Sequence, residues 1–185
     1  MSFLIRPAQL SDARAIGAVH LDTWRSTYTP LVPEGFLDQF DYAERERTWQ
    51  ARLSNAQAQQ RVFVAEADGQ IVGFASGGIA RTEDAPYTAE VYALYVRDAF
   101  QRRGIGVRLV AALAERFAAE GHTHMLIWVL SANRNARAFY EAIGGVWLRE
   151  KTINFGANLL ESAYGYVIAD FLARYGAQER REHDG

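Results

Sequence analysis

The 185-residue sequence contains no cysteine. That excludes disulfides, thiolate metal ligands and a cysteine nucleophile. It also lacks any run approaching the roughly 18 apolar residues that a bilayer-spanning helix needs. Its first stretch, MSFLIRPAQLSDARAI, is interrupted by Arg6, Pro7 and Asp12, too early for a secretory signal. An excess of charge of one sign is missing too: the net charge is -2. No global field therefore draws the chain to nucleic acid or to an anionic membrane. Together these absences predict a cytoplasmic protein with no nucleic-acid or membrane partner.

What is present is an ordinary globular composition, 49% apolar and 23% charged. The length fits one domain, assigned to residues 1–175, with a core that needs no staples. The charged stretch 176–185 is expected to fray. Phe3–Arg6 reads as a strand ended by Pro7. Ser11 and Asp12 are N-cap residues for a helix carrying Ile16, Val19, His20, Thr23 and Trp24 at helical spacing. Tyr28–Gly35 breaks that helix, a second spans Tyr42–Leu53, and Ser54–Gln60 is a polar loop. Arg61–Glu66 and Gln70–Ile79 form a hairpin about Asp68-Gly69. Ala80–Ala89 reads as a loop, and Val91–Val96 as a central strand, apolar on both faces.

Gly104–Glu120 is an amphipathic helix, with Ile105, Leu109, Val110, Leu113 and Phe117 on one face. Met125–Leu130 is a second buried strand, so residues 91–130 make a right-handed parallel crossover. A helix over Asn133–Ile143 stops at Gly144-Gly145. Strands near Val146–Asn154 and Ser162–Ala169 complete the order. The fold class is α+β: a mixed, mostly antiparallel sheet of six to seven strands with helices on both faces.

The chemistry concentrates in Gln101-Arg102-Arg103-Gly104-Ile105-Gly106-Val107, where a buried strand passes through a glycine turn into a helix. The first-turn amides of that helix lack internal partners and carry the positive end of its dipole, which suits a phosphate. Gly104 and Gly106 allow close backbone approach, and Arg102 and Arg103 add charge. The dinucleotide fingerprint fails because Leu109 stands where its third glycine belongs, and no Gly-Lys-Ser/Thr P-loop is present. A metal-free pyrophosphate remains open, as does a turn with no ligand at all.

The pattern Gln/Arg-x-x-Gly-x-Gly/Ala after a central strand, met by Gln101, Gly104 and Gly106, resembles the GNAT superfamily of acyl-CoA-dependent N-acetyltransferases. Asn133 to Gly144 matches its second signature, Asn-x-x-Ala-x-x-x-Tyr-x-x-x-Gly, although Gly145 stands where phenylalanine usually follows. The resemblance implies a sheet splayed between its fourth and fifth strands, with acetyl-CoA as acetyl donor in the gap and no metal. It implies that the backbone of Leu94, Tyr95 and Val96 bonds the pantetheine arm, that residues 101–107 hold the pyrophosphate, and that Asn133 touches the cofactor. Tyr140 would be the general acid and Glu90 the base, with Glu83, Asp84, His20 and Asp22 as rivals; the Val96 amide would receive the oxyanion. The acceptor, a small-molecule or peptide amine, would meet Trp24, Tyr28 and Tyr87, with Phe36 and Tyr164 nearby. The alternative is a non-enzymatic CoA sensor on the same fold. A homodimer is left open.

Overall fold

The computed structural model describes residues 2–55, 61–154 and 157–176. Among the described residues seven strands form one sheet: β1 (Leu4–Pro7), β2 (Arg61–Ala67), β3 (Gln70–Asp84), β4 (Tyr87–Val96), β5 (His124–Leu130), β6 (Val146–Asn154) and β7 (Asn158–Val167). Their order is β1-β2-β3-β4-β5-β7-β6, and every pairing is antiparallel except β4–β5. The helices are α1 (Ala13–Tyr28), α2 (Tyr42–Ser54), α3 (Ile105–Ala119), α4 (Arg134–Ala142) and α5 (Ile168–Tyr175).

Local chemistry accounts for most element ends. Asp68 and Gly69 both take positive φ, 50° and 74°, the conformation of a tight hairpin turn matched to strand twist. Asp41 caps α2 by accepting from the Glu44 amide. Asp12 accepts from the Gln9 amide at 2.7 Å and is clasped by Arg6, which joins β1 to the start of α1. The Arg6 guanidinium holds the Asp12 carboxyl below its usual range.

Two cores flank the sheet. On one face α3, α4 and α5 contribute Leu109, Leu113, Phe117, Tyr140 and Phe171 against Ala89, Val91 and Ile127. On the other, α1 and α2 pack Ile16, Val19 and Trp49 against Val64 and Phe74. Each fully buried large apolar side chain contributes about 1.5–3 kcal/mol.

Two readings of the sequence are corrected. The span 80–89 is not a loop: β3 continues to Asp84 and β4 begins at Tyr87, because Gly78, Ile79 and Asp84 pair with Glu90, Ala89 and Tyr87. Thr82 and Asp84, polar residues of the kind that make turns, here bond each other at 2.6 Å within the strand. The last strand starts at Asn158 and ends at Val167, not Ala169. The chain then enters α5 with no breaker between, its apolar Ile168 and Phe171 anchored in the α3-side core. Residues 56–60 of the expected polar loop and 177–185 of the expected tail lie outside the described residues.

Candidate active site

The parallel pairing of β4 with β5 is short. Only Ala89–Val91 pair with Met125–Ile127. Beyond this, β4 stays on β3 as far as Val96, and β5 stays on β7 as far as Leu130. The two strands therefore diverge into a slot. Its cause is a register shift: Gly77 faces Val91 and Ser76 faces Ala93, which leaves Tyr92 as an extra residue on β4. Such a bulge bends and twists its strand.

The slot-side edge of β4 is backbone. The Arg97 amide donates back to the Val72 carbonyl at 2.9 Å. Strand groups alternate in direction, so the N–H and C=O of Val96 and Leu94 point away from β3, toward the slot. Tyr95 backbone groups point toward β3, and its contribution is its side chain. Gln101 donates through Nε2 to the Val96 carbonyl and to Asp98 Oδ1, both at 3.0 Å, so it ties the turn to the strand end.

In the turn, Arg102 (φ 62°) and Gly104 (φ 81°) are both left-handed. Amides on such alternating backbone converge on a common point and make an anion nest. A Cβ at Gly104 would meet no heavy atom within 4 Å, so the space above it is open. The Ile105, Gly106 and Val107 amides begin α3 without intrahelical partners. Ile105 is buried and Val107 packs on the core, which fixes their direction. Gly106 has a different reason from the one its position implied: a Cβ there would lie 3.2 Å from Phe139 Cζ of α4. Its smallness lets α3 and α4 approach. Arg103 lies 5.5 Å from the Phe100 ring, and Arg102 is exposed. Asn133 caps α4, its side-chain oxygen accepting from the Ala136 amide at 3.1 Å.

Three tyrosine hydroxyls come together from distant segments. Trp24 Nε1 donates to the Tyr95 hydroxyl at 2.7 Å, and Tyr95 in turn bonds Tyr28. Tyr140, on α4, is buried; burial and the nearby Tyr28 hydroxyl push its phenol up. Burial raises Tyr28 and Tyr95 as well. Beneath them His20 stacks on Tyr95 at 5.1 Å and accepts from Trp49 Nε1 at 3.3 Å. Burial, then Arg45 and Arg52, pushes His20 down to about 3. His20 is thus a neutral core residue. Its native pKa lies below the unfolded value near 6.5, so protons favour the unfolded chain between those two values. Stability is expected to fall by about 1.4 kcal/mol per pH unit from roughly pH 6.5 downward. Urea midpoints at pH 7 and pH 5 check this, and His20→Gln should flatten the slope.

The carboxylates divide clearly. Glu90 is not on a loop: it sits on β4 with its side chain 1% exposed. Its oxygens accept from Arg81 Nη2, from Arg81 Nε at 3.0 Å and from the Arg81 amide at 2.9 Å. Asp84 holds Arg149 through two bonds of 2.8 Å, which lowers its carboxyl. Asp22 takes Arg97 and the Tyr42 hydroxyl. Glu83 is exposed. Glu161 on β7 pairs with Leu130 at the end of β5, beyond the β4–β5 pairing, and nothing in the local sequence singles it out.

Of the acceptor-side aromatics, Trp24 and Tyr28 meet at the slot, 5.9 Å apart. Phe36 packs on Phe40. Tyr87 lies two residues before the paired stretch of β4 and β5, at the end away from the slot, with its ring against His124 and over Gly165. It stands five residues before Tyr92, about 16 Å along the strand. Tyr164 belongs to the opposite core, its hydroxyl donating to Glu141 and accepting from Arg137. Among the described residues no group of three or more His, Asp or Glu is arranged to hold a metal.

The profile of the acetyltransferase (GNAT) family matches residues 20–145. The N-acetyltransferase YuaI of Bacillus subtilis is 35% identical over 88% of this chain and 91% of its own. The L-methionine sulfoximine/L-methionine sulfone acetyltransferase of Pseudomonas paraeruginosa is 30% identical over 78% and 80%. The PaiA N-acetyltransferase of Thermoplasma acidophilum, crystallised with coenzyme A, shares the fold at a TM-score of 0.70 and 19% identity, covering 88% of this chain and 98% of that one. The splayed strands, the α3 turn and these relatives lead to one conclusion: the chain belongs to the GNAT family of N-acetyltransferases.

Proposed function

We propose that this chain binds acetyl-CoA along the slot and moves the acetyl group to the amine of a small molecule, by direct attack within a ternary complex. The observation that carries the reading is the slot itself, with the α3 turn following β4 and Tyr140 buried near Tyr28 and Tyr95. The coenzyme A complex of the Thermoplasma neighbour and the small amino-acid analogue named for the Pseudomonas relative favour it. The absence of cysteine argues against a cysteine-borne acyl-enzyme.

Acetyl-CoA supplies an activated thioester carbonyl. The amides of Arg102 to Val107 hold its pyrophosphate, where open space and the helix dipole suit an anion. Leu94 and Val96 bond the pantetheine arm through backbone groups, and Asn133 touches it from the α4 cap. The Val96 N–H receives the developing oxyanion, worth several kcal/mol in a dry site. Tyr140 stays protonated at neutral pH and gives a proton to the departing thiolate. Trp24 and Tyr28 line the acceptor side.

Tyr140→Phe is expected to lower kcat about 10- to 100-fold and to leave acetyl-CoA affinity within about twofold. Stopped-flow thiol release and calorimetry separate the two, and an unchanged kcat removes Tyr140 from this role. The function as a whole is tested by acetyl-CoA calorimetry with a thiol-release screen over amino acids, aminoglycosides, polyamines and peptides. Micromolar binding with amine-dependent release is expected. Binding without release on any amine would make the chain a CoA sensor.

A further inference from the structure

Resting on this reading, we propose that Glu161 is the general base: it binds the acceptor ammonium at the slot mouth and takes a proton from it, which frees the nitrogen lone pair for attack. The first support is position. Glu161 pairs with Leu130, the last β5 residue before the chain turns toward α4, on the side where β4 has already diverged. By strand alternation its side chain shares a face with Trp128, two residues back on β5. The Lys151 ammonium lies 3.9 Å from the Trp128 ring and Arg149 4.8 Å, so this face is lined by charge and one indole.

The second support is the state of each carboxylate around the slot. Glu90 is occupied by three N–H donors, Asp84 by a two-pronged Arg149, and Asp22 by Arg97 and Tyr42. Glu150 accepts from the Ser131 and Ser162 hydroxyls, which lower it. Among the described residues Glu161 has one loose ion pair, 3.6 Å from Lys151, although only 21% of its side chain is exposed. A desolvated carboxylate with a long ion pair gains by drawing in a second cation, and an alkylammonium is one. The groups facing it are Lys151 on β6, Arg81 on β3, Glu90 on β4 and Tyr28 at the end of α1. Tyr28 also couples to Tyr140 and Tyr95, so one tyrosine lies near both the acid and the base. Burial raises the Glu161 carboxyl above its usual range, against Lys151 and Arg81, which brings it closer to a base suited to neutral pH.

The bound ammonium has no lone pair, so it first gives a proton to Glu161, which passes it to solvent. The freed nitrogen then bonds the carbonyl carbon, the C–S bond breaks, the thiolate takes a proton from Tyr140, and the second proton left on the nitrogen returns through solvent to Tyr140.

The test is Glu161→Gln with the best amine from the screen. At pH 7, kcat/KM is expected to fall about 100-fold, with acetyl-CoA affinity within twofold. The deficit should narrow to roughly tenfold or less near pH 9.5, because a lysine-like amine with pKa about 10.4 then sheds its own proton. Glu161→Asp should recover part of the loss, and it serves as the readout if the glutamine variant does not fold. A deficit constant with pH marks a merely structural role and overturns the proposal. So does a pH-dependent deficit in Glu90→Gln with none in Glu161→Gln. If the unaltered chain releases no thiol with any amine, the transferase reading itself falls, a result distinct from either.

Discussion

Replacing Gly104 with aspartate is expected to weaken acetyl-CoA binding at least 100-fold while the chain still folds. Gly104 is left-handed at φ 81°, and a Cβ there would meet nothing within 4 Å. The folded state therefore pays only the conformational term, about 1 kcal/mol or less for aspartate, which tolerates this region. The ligand meets more. A carboxylate at the centre of the nest would stand near a pyrophosphate charge, and two like charges 4 Å apart at an effective dielectric of 20 repel by about 4 kcal/mol. It would also fill the space that the amides of Ile105 and Gly106 leave open. Gly104→Ala separates the contributions: the same strain without charge should cost less than about tenfold in affinity. Calorimetry for binding and thermal melting for the fold decide the matter. A folded aspartate variant with unchanged affinity would remove this turn from the donor site.

Gly77→Ala should destabilise the protein by about 3 kcal/mol or more, the upper range for overpacking a core. In a chain of this size that is a fall in Tm of roughly 6 to 12 °C. A Cβ at Gly77 would lie 2.6 Å from the Glu90 carbonyl and 2.7 Å from Phe117 Cζ. Neither can yield easily. Glu90 is held between Gly78 on β3 and Leu126 on β5, and Phe117 is fully buried. Gly77 also sits at the register shift that starts the slot, so acetyl-CoA affinity should fall with stability. Gly69→Ala is the control: φ is 74° but nothing lies within 4 Å of its Cβ, so only about 1 kcal/mol is at stake. If the Gly77 and Gly69 variants melt alike, the steric argument fails.

The elements that the sequence revealed best are those with local causes. The Asp68-Gly69 turn, α3 with its glycine start, and the Asn133 cap each depend on a few adjacent residues, and each lies where the periodicity predicts. The extension of β3 and β4 was hidden because Thr82 and Asp84 are turn-formers that here bond each other and Arg149. Helix α5 was hidden because it follows β7 without a breaker. Tyr87 and Tyr28 looked equivalent as aromatics; only chain geometry separates the closed end of the strand pair from its open end.

By itself the sequence pointed to the proposed donor side. The turn 101–106 and the helix it opens suit a phosphate, because backbone amides need only local conformation to become a binding site, and the resemblance of both signatures to the GNAT pattern implied acetyl-CoA as the donor. The proposed acceptor side rests on tertiary structure. Arg81 pairs with Glu90, Arg149 with Asp84 and Lys151 with Glu161, and which carboxylate stays available follows from those pairings. They are set by strand register and by hairpins folding over the sheet. A shift of one residue in register turns a side chain to the other face, so no short stretch of sequence carries that information.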